Sequence, residues 1–426
     1  MEEEKLNELK KEVDELEEKI NYKYNEEGEL RNKETNEKVK RLNKKEYSSV
    51  ADYITKYIQY KILKEYKLIP MYVPSIENSS NFYIRIKDIP QCQIYVSDDF
   101  EINSKCICII QGTGTVRVGL WARSVCINAN LYLGSIIPYI KKAFENNFSL
   151  IVLNPNENCD IDDNKKKIPE FQTMESHCNY VYEHIIKKNN NIKDLYIIAH
   201  SMGGYCTIQI LVKNEEDLLS GKIKKIVFTD SVHGDSYKEL SEKGQQKLKD
   251  ITKDYISSTD PLGQLISKWN KSNNGVNCYS SGHPLHEYTS GYAISEAFKW
   301  INSEDTCIND EIIENNNEVD LKNENIENKE NKENKENIEN KENLENKENL
   351  ENKENLENKE NKENKEKEKI INNDENKEEK EQKNDVDMND DNNENNEGEN
   401  NKKEDKNELK KEENVIEMKE EEKKNQ

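Results

Sequence analysis

Apolar side chains keep a regular spacing through the first three hundred residues and lose it afterwards. Leu6, Leu9, Val13, Leu16 and Ile20 advance in steps of three and four, which predicts one helical stripe near the start of the chain. Such a stripe lies on its own domain or forms a short coiled-coil seam, and fewer than three heptads is little on which to specify the seam. Tyr24 to Glu37 reads as a turn around Gly28, and Tyr47 to Tyr66 as an amphipathic helix ending before Pro70. From residue 81 onward, short apolar runs alternate with helical stretches. Strands are predicted at Phe82–Ile86, Gln93–Val96, Cys106–Ile110, Leu150–Leu153, Leu195–Ile198, Lys225–Phe228 and Val276–Tyr279. Helices are predicted at Leu131–Phe148, Met174–Lys188, Cys206–Lys213 and Tyr292–Ile301. Apolar strands alternating with helices predict an α/β fold, a mostly parallel sheet covered on both faces. Such sheets place chemistry at the carboxyl ends of their strands.

After Trp300 the pattern dissolves. The hexad Asn-Lys-Glu-Asn-Leu-Glu repeats three times from Asn340, and one Leu per hexad cannot form a continuous helical stripe. No Phe, Tyr or Trp occurs in residues 301–426, so disorder is expected there. Three regions follow: an N-terminal helical extension (1–80), an α/β domain (81–305) and an Asn/Lys/Glu-rich low-complexity tail (306–426).

Charge sharpens this division. The formal charge is -23, and by count about -21 of it lies in residues 301–426, leaving the remainder nearly neutral. A near-neutral body has no general basic surface for phosphate backbones, so direct nucleic-acid binding is disfavoured. The tail reads as a solvated appendage or as an acidic tether for basic partners such as histone tails. No apolar run reaches about eighteen residues, so no membrane span is expected, and the first twenty residues lack a secretory pattern. The expected compartment is nucleus or cytoplasm. Nine cysteines are scattered with no CxxC pair and read as reduced, mostly buried thiols. Cys106 and Cys108 share a strand face but have no matching Cys/His pair, so neither a metal nor another cofactor is expected.

The strongest chemical signal is Leu195-Tyr-Ile-Ile-Ala-His-Ser-Met-Gly-Gly-Tyr205, an apolar strand running through Ala-His-Ser-Met-Gly into a helix. That is the setting of a nucleophile elbow, whose tight turn requires small residues two before and two after the serine. Ala199 and Gly203 meet the requirement. Ser201 is then the candidate nucleophile, with the backbone N–H of Met202 facing a developing oxyanion. A second oxyanion donor is expected in Ile109-Ile-Gln-Gly-Thr-Gly-Thr115, from Gly112 or Thr113, after the strand at Cys106. The order nucleophile, acid, histidine points to Asp230, ending one strand, and His286, following another. Asp260 competes as the acid, and His233 and His283 compete as the base. His200 reads as a core histidine beneath the elbow, and Trp121 as packing. Arg117 and Arg123 either bind an anionic substrate or cap carboxylates such as Glu157.

Five strings occur together in the chain: Gln111-Gly-Thr-Gly-Thr-Val-Arg-Val-Gly-Leu-Trp-Ala-Arg123, Ile151-Val-Leu-Asn-Pro-Asn-Glu-Asn158, Ala199-His-Ser-Met-Gly-Gly204, Thr229-Asp-Ser-Val-His233 and His286-Glu-Tyr-Thr-Ser290. With Tyr24-Asn-Glu-Glu-Gly-Glu-Leu-Arg31, they make residues 20–302 similar to the argonaute-binding-protein-two (Arb-two) domain family, which includes metazoan cotranscriptional regulators. The resemblance implies an α/β-hydrolase-like fold and association with argonaute and chromatin proteins in small-RNA-directed heterochromatin silencing. The family's presumed nucleophile falls on Ser201. Gln111 stands where His is common in lipase-like loops, and Met202 where an aromatic is usual. Two functions are compatible with this reading: a protein–protein scaffold, and a serine hydrolase acting on an ester, thioester or amide.

Overall fold

A computed structural model describes residues 2–75, 82–266, 275–305 and 307. The tail reading therefore lies outside the described residues, 307 apart. Helix α1 (Glu2–Glu18) is followed by a small hairpin, β1 (Tyr22–Tyr24) and β2 (Leu30–Asn32), and by helix α2 (Lys44–Tyr66). Val13 and Ile20 are buried in the same apolar cluster as Val50, Ile54 and Ile58 of α2, so the first stripe lies on its own domain. Asn43 starts α2 with a full capping box, accepting from the Glu46 N–H while the Glu46 carboxylate accepts from its own N–H.

Eight strands build the main sheet in the order β10-β9-β8-β7-β5-β6-β4-β3. They are β3 (Ile69–Val73), β4 (Cys92–Val96), β5 (Lys105–Ile110), β6 (Ser149–Val152), β7 (Asp194–His200), β8 (Ile223–Thr229), β9 (Thr252–Ile256) and β10 (Asn277–Ser280). All neighbours pair in parallel except β4, which is antiparallel to both β3 and β6. The fold is α/β, a mostly parallel sheet with helices on both faces. Along β5, Cys106, Cys108 and Ile110 enter one core while Ile107 and Ile109 enter the other, the period-two alternation of a strand buried on both sides. One face is covered by α2, α3 (Arg123–Asn128), α5 (Ile137–Glu145) and α10 (Thr289–Asn302). The other is covered by α6 (Met174–Val181), α7 (Met202–Lys213), α8 (Glu215–Leu219) and α9 (Glu242–Ile251).

Three departures from the sequence reading have local causes. Residues 82–86 form turns instead of a strand, because the segment wraps the Arg85 guanidinium. That group donates to the carbonyls of Ile86 and Ile89, to Gln91 and to Asp160. The single helix expected over Leu131–Phe148 is broken into α4 (Leu131–Gly134) and α5. Gly134 packs so closely on Cys126 that a Cβ there would lie 2.5 Å from its amide nitrogen, and the Gly134 carbonyl accepts from Trp121 and Ala122. Strands β3 and β9 were hidden by Pro70 and by the Lys253-Asp254 pair. Strand β3 joins the residues before 81 to the same sheet as the domain that follows. All nine cysteines are buried free thiols.

Candidate active site

The carboxyl edge of the sheet is shaped by one turn. Between β7 and α7, Ser201 adopts φ 52° and ψ -122°, a conformation that costs an L-residue about 1–3 kcal/mol and persists only where its surroundings enforce it. The enforcement is visible: Ser201 N–H donates to the Thr229 carbonyl, and the Ser201 carbonyl accepts from Gly204 and Val232. A Cβ on Gly203 would lie 2.6 Å from the Ile110 carbonyl oxygen and 2.9 Å from that of Gln111. Gly203→Ala must therefore push the helix off the β5 loop. We expect it to lower stability by about 1–3 kcal/mol, read as a shifted denaturant midpoint.

The loop after β5 lies against the serine. A Cβ on Gly112 would be 2.9 Å from Ser201 Cβ and 3.1 Å from His200 Cδ2, so only glycine allows this approach. Asn156 holds the loop in place, donating to the Gly112 carbonyl (2.8 Å) and accepting from the Gly114 N–H (3.1 Å). Among the described residues, the backbone N–H groups of Gly112, Thr113 and Met202 have no acceptor. Backbone N–H groups without an acceptor are what stabilisation of a developing oxyanion requires. Gln111 is buried beside them, with neither amide atom partnered among the described residues.

Across the sheet edge, His286 Nδ1 is 2.8 Å from Asp230 Oδ2. Directly after β8, Asp230 turns the backbone at φ 52°, and its carboxylate meets the segment that follows β10. Burial pushes the Asp230 carboxyl up, but hydrogen bonds from His286 and Ser257 outweigh it and hold the group below the usual range. The same hydrogen bond raises His286 above an ordinary imidazole, against its partial burial. The His286 ring lies on that of His200, centroids 4.7 Å apart, which brings it to the residue preceding Ser201. Neither Ser201 Oγ nor His286 Nε2 makes a hydrogen bond among the described residues. The structure thus sets the His286 ring against the side chain of His200, one residue before the serine.

The other sequence candidates sit elsewhere in this network. Asp260 accepts from the Ser258 hydroxyl, and His283 stacks on Tyr288 at 4.3 Å. His233 shares a hydrogen bond with Ser231 (Nδ1 to Oγ, 2.7 Å). His200 is buried, with Nδ1 2.8 Å from the Thr229 carbonyl. A carbonyl only accepts, so Nδ1 carries the proton. Burial, and then the charge of His286, hold His200 down to about 4, so it stays neutral. Trp121 packs edge-on against Tyr139 and His200. Arg117 pairs with Glu157 at 2.7 Å, while Arg123 reaches Thr115 and the Tyr47 ring.

Sequence reasoning did not single out Asn156, Ser257 or Asp254. The first was readable only as part of a motif, and the other two lie in or beside the hidden strand β9. Asp254 is fully buried behind Asp230, accepts from the Ser231 N–H, and is pushed up to about 7 by burial. An unfolded Asp releases its proton near pH ~3.9. Between there and about pH 7 the folded chain holds a proton the unfolded chain has lost, so stability falls as pH rises and levels off above. We expect Asp254→Asn to remove a decline of roughly 2–4 kcal/mol across that window. Urea titrations of both proteins at several pH values read it out.

Comparison with known proteins adds the lineage. A profile of the Arb2 domain matches residues 14–262. The chain belongs to the Arb2 domain family. A cotranscriptional regulator ARB2A homolog from Dictyostelium discoideum is 34% identical over 312 residues, covering 66% of this chain and 77% of its own. The cotranscriptional regulator ARB2A of Homo sapiens is 27% identical over 338 residues, covering 66% of this chain and 78% of its own. Among solved structures, a histone deacetylase from Saccharomyces cerevisiae aligns with 62% of this Arb2 chain and 99% of its own, at 10% identity and a TM-score of 0.39. That score is too low to speak for shared chemistry. Among the described residues of this Arb2 protein, no helix is long and apolar enough to cross a membrane.

Proposed function

We propose that the Ser201 site is a serine hydrolase centre for acyl transfer from an ester, thioester or amide. The observation that carries this reading is the strained Ser201 turn at a sheet edge where His286, bonded to Asp230, lies against the preceding His200. His286 donates through Nδ1 to Asp230, so in the neutral ring Nε2 holds the lone pair. Nε2 takes the proton of Ser201 as Oγ attacks the substrate carbonyl, and the oxyanion is met by the N–H groups of Met202, Gly112 and Thr113. The imidazolium, stabilised by Asp230, returns that proton to the leaving group as the carbonyl reforms. Water then repeats the cycle on the acyl-serine and releases the acid.

Hydrolysis of a short p-nitrophenyl ester across pH tests this. Because the base must be neutral and Asp230 raises its pKa, the acid limb of kcat/KM is expected to inflect above the ordinary imidazole value of about 6.5. A limb at or below that value counts against His286 as the base.

The names of the relatives support a second role that the same protein can hold. We infer that the chain acts in cotranscriptional regulation in the nucleus, as a scaffold for argonaute or chromatin-associated proteins. Affinity capture of the full chain from its own cells, with mass spectrometry, should recover such proteins. A catch with neither class is evidence against the scaffold.

A further inference from the structure

Large apolar residues exposed singly are ordinary on a protein surface. Three of those exposed here are not scattered in that way. Val232 (55% exposed) follows Asp230 by two residues, and its N–H donates to the Ser201 carbonyl. Leu285 (50%) directly precedes His286. Leu262 (38%) lies on the loop after β9, close against Gly282 of the His286 loop. These two loops are tied by the hydrogen bond from Ser258 N–H to the His283 carbonyl, 3.0 Å long. The three loops that follow β8, β9 and β10 thus each present an uncovered aliphatic side chain at the sheet edge that holds the histidine–carboxylate pair.

The oxyanion loop leads to the opposite chemistry. From Gly112 it runs through Thr115 to Arg117 and into a cleft of about 600 Å³ whose lining includes Lys56, Arg117, Arg123 and Glu157. Lys56 and Arg117 are paired with carboxylates, while Arg123 is held by Thr115 and the Tyr47 ring.

We propose that the substrate of the Ser201 site is amphipathic: an apolar group beside the scissile carbonyl lies on Val232, Leu262 and Leu285, and a polar, charged portion extends along the oxyanion loop into the cleft. This rests on the hydrolase reading and names its substrate class. The aliphatic rim takes the apolar group out of water next to the nucleophile. The cleft keeps charge solvated and gives carboxylate or guanidinium partners to a peptide-like carrier.

The test is the rate at which Ser201 is labelled by two fluorophosphonates, one with an ethyl and one with an octyl chain. In each, the Ser201 Oγ–P bond forms, fluoride leaves, and the serine proton passes to His286 and then to solvent. The octyl probe is expected to react about tenfold faster with the unaltered protein, the worth of roughly two methylenes removed from water. The Val232→Ser/Leu262→Ser double variant should bring the ratio of the two rates toward one. Ile102→Ser, an exposed position on the loop between β4 and β5, should leave it unchanged. Damage to the elbow slows both probes alike and does not move the ratio. Equal rates in the unaltered protein, or a ratio that survives the double variant, overturn the proposal while the hydrolase reading stands. Failure of both probes to label Ser201 overturns the hydrolase reading and this proposal with it.

Discussion

Replacing Ser201 by alanine is expected to lower ester turnover on the order of 10⁴- to 10⁶-fold, the loss seen when a nucleophile is removed from a triad that acts as a unit. The residual rate comes from the free N–H groups of Gly112, Thr113 and Met202, which the substitution leaves in place. The structural consequence separates two explanations for the serine. At φ 52° the backbone is strained for any side chain, and glycine relieves the strain. Ser201→Gly should therefore be as inactive as Ser201→Ala while raising stability by about 1 kcal/mol, measured by urea unfolding. A serine kept only for packing or polarity gives no activity to lose in either variant.

Asp230→Asn is the second large effect, expected to cost about 10⁴-fold in kcat. Asn tolerates the left-handed backbone that Asp230 occupies, so the loop keeps its path. What changes is the imidazole. Its Nδ1 no longer faces a carboxylate, the stabilisation of the imidazolium is lost, and the raised His286 pKa relaxes toward the ordinary value. The remaining activity should show its acid limb at lower pH than the unaltered protein. An Asn variant with full activity and an unmoved limb means that Asp230 does not act on the base.

How far the sequence could be read depended on whether a residue's neighbours lay close in the chain. Strands β5, β7 and β8 are buried on both faces and their apolar runs announced them, as did the Ala199-His-Ser-Met-Gly203 turn, where steric demand is written in consecutive residues. Strand β9 was illegible because Lys253 and Asp254 interrupt its pattern. In the structure Lys253 lies over the Tyr279 and Trp300 rings, and Asp254 is buried near-neutral behind Asp230. Arg85 defeated the Phe82–Ile86 strand for a related reason: its carbonyl and Asp160 partners come from chain up to 75 residues away, and they set the local backbone. Choosing among Asp230, Asp260, His233, His283 and His286 was beyond sequence altogether. All five follow strand ends, and only the 2.8 Å contact distinguishes one pair. Asn156 carried no sign of its role until the loop it clamps was seen against Ser201.

The claim on which the enzymatic account rests is that Ser201 is an activated nucleophile. Peptide mapping of the full-length protein after reaction with an alkyl fluorophosphonate tests it most directly. The account predicts a single phosphonyl adduct on Ser201, lost when His286 is replaced by alanine. An unmodified Ser201, or an adduct only on another hydroxyl, contradicts it.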